Sequence, residues 1–266
     1  MKNAIFSFFC FLVLLCECSC ARNLPKVYPV VSEASPTITY DVLTPAPMSL
    51  PAAAPFPRRR PLIVIDPGHG GKDFGTEAPT ATIFKEKNLN LITAKILDGY
   101  LKQMGFRTIM TRTTDTFISL DARANLANES QADLFVSLHY NSAPSSQAEG
   151  IEVFFYRTDG DKERVASSKK LAESVLRYVI DLTEAKSRGV KHGDLAVIRK
   201  TKMPAVLVEG GFMTNNQEMT KLGDPSYIKS IAWGVARGIQ VYYNQTRGVP
   251  FRSAQSPLEK PLNIKI

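Results

Sequence analysis

Beyond residue 20 this chain has no cysteine. Cys10, Cys16, Cys18 and Cys20 all fall in the first 20 of its 266 residues. Histidine is nearly as scarce, with three residues, and tryptophan occurs once. No apolar run approaches the roughly 20 residues that a membrane-spanning helix needs. The nearest, "AIFSFFCFLVLL" from Ala4 to Leu15, follows Lys2 and precedes the small residues Ser19, Cys20 and Ala21. That order of positive, apolar and small segments is the pattern of a secretory signal peptide over residues 1–21. Cleavage after Ala21 removes every cysteine, which excludes disulfides and thiolate metal sites from the working domain. A lipoprotein keeping a modified cysteine is the rival reading, but Glu17 occupies a place where a small or apolar residue is wanted. The expected location is beyond the inner membrane, in the periplasm or cell envelope, with membrane contact only through a possible lipid anchor.

Acidic residues are also in short supply. There are 25 against 33 lysines and arginines, a formal charge of +8. Nucleic acid, acidic lipid and an anionic wall polymer all suit such a balance, and so does a merely solvated basic surface. No nucleic-acid partner is expected.

What is present falls into blocks. Residues 22–60 carry proline every few positions, show no helical periodicity and end in Arg58–Arg60, which reads as an extended linker. From Pro61 to about residue 245 strand-like and helix-like segments alternate. Strands are expected at 62–66, 106–111, 133–139, 150–156, 195–199 and 205–210. Helices are expected at 86–105, 120–129, 161–182 and 225–245, with Leu89, Ile92, Ile96, Leu97, Tyr100, Leu101 and Met104 on the apolar face of the first. Apolar strands without polar alternation predict a single α/β domain whose mostly parallel, twisted sheet is flanked by helices on both faces. The polar segment 246–266 reads as a flexible tail.

Open α/β sheets bind ligands beyond the C-terminal ends of their strands. His69 follows the strand at 62–66, His139 ends the strand at 133–138, Glu209 ends that at 205–208, and Glu86 opens the first long helix. Two neutral imidazoles and a carboxylate make a catalytic zinc set with one position left for water, and a second carboxylate can move protons. Glu86 and Glu209 can divide those two roles. Singly, each residue has an ordinary explanation: a structural histidine, a glutamate serving a helix dipole. Gly68, Gly70 and Gly71 are expected to supply positive φ around His69. Arg112, Asp115, Arg123 and Asn125 are expected to brace loops, Asn141 to sit close behind His139, and His192 to lie in a surface loop.

From Leu62 to Tyr243 the stretches "VIDPGHGGKDFGT", "KEKNLNL", "TRTTDTFISLDARANLAN", "ADLFVSLHYNSA", "GIEVFFY" and "PAVLVEGGFMTN" resemble, in order, the zinc-dependent N-acetylmuramoyl-L-alanine amidases of the cell-separation type. The resemblance implies Zn2+ on His69, Glu86 and His139, with Glu209 in catalysis. It also implies peptidoglycan or muropeptides as substrate, cleaved between N-acetylmuramic acid and L-alanine. Some relatives carry a helix that plugs the site until an activator displaces it. The interval from His139 to Glu209 holds one long helix in this reading, so no protein activator is expected.

Two rivals remain. "SSKK" (167–170) and "SYIK" (226–229) fit the S-x-x-K pattern of penicillin-sensitive serine carboxypeptidases, a degenerate match. A non-catalytic wall-binding module would lack the zinc ligands, which are all here.

Overall fold

The computed structural model describes residues 59–76 and 85–247. The expected signal peptide with its four cysteines, nearly all of the linker, and the tail from residue 248 lie outside the described residues.

The described chain forms one six-stranded sheet. Its strands are β1 (Leu62–Pro67), β2 (Arg107–Met110), β3 (Leu134–Asn141), β4 (Ile151–Phe155), β5 (Ser187–His192) and β6 (Ala205–Phe212). Their spatial order is β2-β1-β3-β6-β4-β5. Every neighbouring pair is parallel except β4 and β6, so the expected mostly parallel sheet is found, with its last two strands reversed.

Alternation along the strands divides the core in two. Ile63, Ile65, Val136, Leu138, Val206 and Val208 face the larger half, covered by α1 (Glu86–Gln103), α3 (Lys162–Thr183) and α6 (Pro225–Arg247). There Gly234 and Gly238 let α6 lie against the backbone of α3; a β-carbon at Gly238 would come within 2.5 Å of Val175 Cα. Leu62, Val64, Phe135, Ala205 and Leu207 face the smaller half, beside Ala127 of α2 (Leu120–Glu129) and Val197 and Ile198 of α4 (Ala196–Lys200). Ser119 caps α2, accepting from Ala122 N–H, and Asp161 caps α3, accepting from Arg164 N–H.

Three expectations are corrected. Residues 195–199 form no strand: Ala196–Lys200 is the short helix α4, because five residues are too few for periodicity to separate the two states. The segment through His192 is no loop: "SRGVKH" is β5, an edge strand bonded on one side only, which has no need of an apolar sequence. A register shift in its pairing with β4 coincides with Gly189 at φ +86°. Ile92, assigned to the buried face of α1, is 39% exposed. A further helix, α5 (Asn216–Leu222), capped by Asn215, was not anticipated.

Candidate active site

β1 delivers His69 through a turn that side chains distant in sequence hold in shape. Two buried guanidiniums saturate the carbonyls there. Arg112 donates to the carbonyls of Pro67 (2.9 Å) and Gly68 (2.7 Å) and to that of Lys87. Arg123 donates to Asp66 Oδ1 (2.8 Å) and to the carbonyls of Pro67 and His69, both at 2.7 Å. Asp115 accepts from Gly71 N–H and from Lys87 Nζ. These contacts hold His69 itself at φ +59°, a left-handed conformation that non-glycine residues adopt at a cost. Gly70 and Gly71 have the expected positive φ. Gly68 has another job: a β-carbon there would stand 2.1 Å from the His139 ring. Asn125, expected as a brace, is exposed on α2, and its side chain has no hydrogen-bond partner among the described residues.

Glu86 opens α1 and reaches back to the strand ends. Its Oε1 lies 2.8 Å from His139 Nδ1 and accepts from Tyr140 N–H. Its Oε2 lies 3.2 Å from His69 Nε2 and accepts from Thr76 N–H. One donor atom each from His69, Glu86 and His139 falls within 4.8 Å of the others. Donors about 2.0–2.2 Å from a tetrahedral zinc stand roughly 3.4 Å apart, so this set fits a zinc ion. Asp73, unremarked in the sequence, accepts from His69 Nδ1–H at 2.8 Å and leaves Nε2 as the free ligand atom.

The charge states follow from these neighbours. Burial alone would push the Glu86 carboxyl up, but its bonds to His139 and His69 outweigh that and hold it far below the usual range. Burial opposes the His69 charge as well, and Glu86 and Asp73 overcome it, so His69 is raised.

Glu209 sits on β6 directly opposite His139 of β3 and Glu152 of β4. Directly opposed residues project from the same face of a sheet. Its Oε2 is buried without a partner. Burial, then repulsion from Glu86 and Glu152, raise its pKa well above the ordinary carboxylate range. A carboxyl so placed holds a proton more readily than an ordinary glutamate, which suits a group that takes and returns one. Glu152 behaves in the opposite way: burial is outweighed by Lys191 and Arg188, which keep it ionised.

A cleft of about 330 Å³ opens beside His69 and His139, walled by Phe117, Leu120 and Val197. Asn141 donates to Glu152 Oε1 at 2.8 Å. His192 ends β5, where its Nδ1 accepts from Arg157 N–H. Neither S-x-x-K serine lies on the face that carries Glu209. Ser167 belongs to α3, and Ser226, on α6, donates to Asp224.

The family model described as N-acetylmuramoyl-L-alanine amidase matches residues 63–241, all of the sheet but Leu62 and every residue of this site. The chain belongs to that amidase family. The uncharacterized protein YqiI of Bacillus subtilis is 37% identical over 194 residues, covering 73% of this chain and 90% of YqiI. The N-acetylmuramoyl-L-alanine amidase LytC of the same organism is 38% identical over 181 residues, covering 68% of this chain but 35% of LytC. The crystal structure of an N-acetylmuramoyl-L-alanine amidase from Clostridium difficile 630 is 38% identical, with a TM-score of 0.66 over 70% of this chain and 98% of that one.

Sequence reasoning had selected His69, Glu86, His139 and Glu209, which the fold brings together, and the braces Arg112, Asp115 and Arg123, but missed other polar neighbours. Asp73 was visible as a carboxylate four residues after His69. Glu152 was hidden inside an apolar strand, and Lys191 inside a segment read as a surface loop, with Arg188 just before it.

Proposed function

We propose that this chain is a zinc-dependent peptidoglycan hydrolase that cleaves the amide between N-acetylmuramic acid and L-alanine of the stem peptide. The observation that carries the reading is the His69–Glu86–His139 cluster with Glu209 opposite His139 across the sheet. His69, Glu86 and His139 would hold the ion. When bound, zinc supplies Lewis acidity and brings a water's pKa toward neutrality. Asp73 keeps His69 in the tautomer that presents Nε2. Glu209 takes the proton from the attacking water and passes it to the departing alanine nitrogen.

We place the enzyme outside the inner membrane, on the strength of the signal-peptide pattern and the cysteine-free remainder. We also propose that it needs no protein activator. The β3–β6 interval does contain the unforeseen helix α4, but α4 is five residues long, with Val197 lining one wall of the cleft and Ile198 buried in the smaller core. The test is to incubate the purified chain with zinc, no other protein and isolated peptidoglycan, and to resolve the products by mass. The expected products are glycan strands with bare lactyl groups and peptides beginning at a free L-alanine amine. Activity appearing only with a second protein would overturn the activator-free part, and cleavage elsewhere would overturn the amidase reading.

Acid should release the metal. Only the neutral imidazole binds zinc, and His69 is protonated at higher pH than an ordinary histidine in the metal-free protein. Zinc affinity, titrated against a competing chelator, is expected to fall as pH is lowered through about 6.5 and below, and to begin falling above that value. A flat affinity between pH 8 and 5.5 would contradict His69 as a ligand.

A further inference from the structure

The carboxylate row on the sheet ends in two cations. Glu152 is 4% exposed. Its Oε1 accepts from Asn141, while Oε2 accepts from both Arg188 Nε at 2.8 Å and Lys191 Nζ at 2.5 Å. One cation is enough to neutralise a buried carboxylate; here there are two. The nearby Glu149 has its own partner in Lys186, at 3.1 Å. Arg188 also donates through Nη1 to the carbonyl of Glu149 and lies over the Phe212 ring. Arg188 Nη2 and the remaining Lys191 N–H groups have no partner among the described residues, and the two side chains are 32% and 39% exposed. A fixed, partly open site with surplus positive charge remains.

Its position sets what it can bind. Strands in a sheet are about 4.8 Å apart, so β5, two strands beyond β6, lies roughly 10 Å from Glu209. An extended peptide advances about 3.3–3.6 Å per residue. A peptide whose first amide is at Glu209 and which runs over β4 advances about 7 Å in two residues, and a carboxylate-bearing group on the second residue, reaching about 3 Å further, meets β5. The cleft on the other side of His139 offers an anion much less. Its wall is Phe117, Leu120 and Val197, and its Arg123 is already bonded to Asp66 and backbone carbonyls.

We propose that Arg188 and Lys191, held in place by Glu152, anchor a carboxylate on the second residue of the stem peptide, so that the peptide lies across β4 and β5 and the glycan on the Phe117 side. This rests on the amidase reading. Charge-assisted hydrogen bonds of this kind discriminate by about ten- to a hundredfold.

The test uses two substrates, N-acetylmuramoyl-L-Ala-D-Glu with free carboxylates and the same molecule with both converted to carboxamides. The zinc-loaded parental enzyme should cleave the acid with a kcat/KM about ten- to a hundredfold higher, mainly through KM. Lys191→Met keeps the aliphatic stem and leaves Arg188 to neutralise Glu152; its acid-to-amide ratio should fall toward one. Arg188→Gln serves as the second variant if Lys191→Met does not fold. Lys186→Met, a cation outside the anchor, should keep the parental ratio. Equal parental rates on the two substrates, or a parental ratio kept by the folded Lys191 and Arg188 variants, would overturn the anchor and leave the two cations as counter-ions of Glu152. Failure to cleave either substrate, or muropeptides from whole peptidoglycan, would instead count against the amidase reading.

Discussion

Glu209→Gln should bind zinc as the parent does and turn over about 100- to 10,000-fold more slowly, the usual worth of a general acid–base group. The amide has nearly the shape of the carboxyl but can neither accept a proton from water nor return one to the leaving nitrogen. The same substitution should not weaken the fold. Glu209 Oε2 is buried without a partner, and burial with two neighbouring carboxylates raises its pKa well above normal. An acid whose pKa is raised on folding costs stability at every pH above its unfolded value, near 4.5, and the cost grows until pH passes the folded value. At pH 7 the metal-free Gln variant is therefore expected to melt at the parental temperature or higher, an instance of stability given up for activity. Near-parental hydrolysis of muropeptides by the folded variant would remove Glu209 from the mechanism. A lower melting temperature would count against the carboxyl being unpartnered.

The second large effect concerns the metal. His139→Ala removes one of three donors, and after dialysis against micromolar zinc the variant should retain much less than one ion per chain and lose at least a thousandfold in activity, comparable with the loss of a general acid–base group. Gly68→Ala should do nearly the same without touching a ligand. Its new methyl would fall 2.1 Å from His139 Cε1 and 2.2 Å from Nε2. The backbone cannot give way, because the Gly68 carbonyl is held by Arg112 and Asn90 and its N–H donates to the Leu138 carbonyl. The ring must move instead. Metal analysis beside circular dichroism separates a displaced ligand from an unfolded chain. A His139→Ala protein with stoichiometric zinc and full activity would end the assignment, and a fully zinc-loaded Gly68→Ala would show that the ring has room the geometry denies it.

Legibility in the sequence followed local pattern. The buried strands around Ile63, Val136 and Val206 are apolar on both faces, and α1, α3 and α6 repeat their apolar residues at helical spacing, so the sheet and its larger core could be read directly. Strand-end placement picked out His69, His139 and Glu209, the start of the first long helix added Glu86, and the resemblance divided the ligand and catalytic roles between the two glutamates. What failed was short or set by position. Five residues of α4 carry no period, and β5 is polar because an edge strand tolerates it. The pairing of Glu152 with Glu209 depends on β4 running against β6, a reversal that no residue in either strand announces. Arg112 and Arg123 were marked as braces, but the carbonyls of Pro67, Gly68 and His69 that they hold lie 44 to 56 residues away, beyond any local reading.

The unequal covering of the two sheet faces divides rigidity within the domain. His139 and Glu209 are fixed by strands whose opposite side is bolted to three long helices, so the reacting groups inherit the immobility of the larger core. The cleft wall beyond them belongs to α2 and α4, ten and five residues long, backed by the smaller cluster. Opening free energy scales with what an element buries, so amide exchange should be faster in α2 and α4 than in α1, α3 or α6. An immobile row of reactive side chains thus faces a wall that can yield.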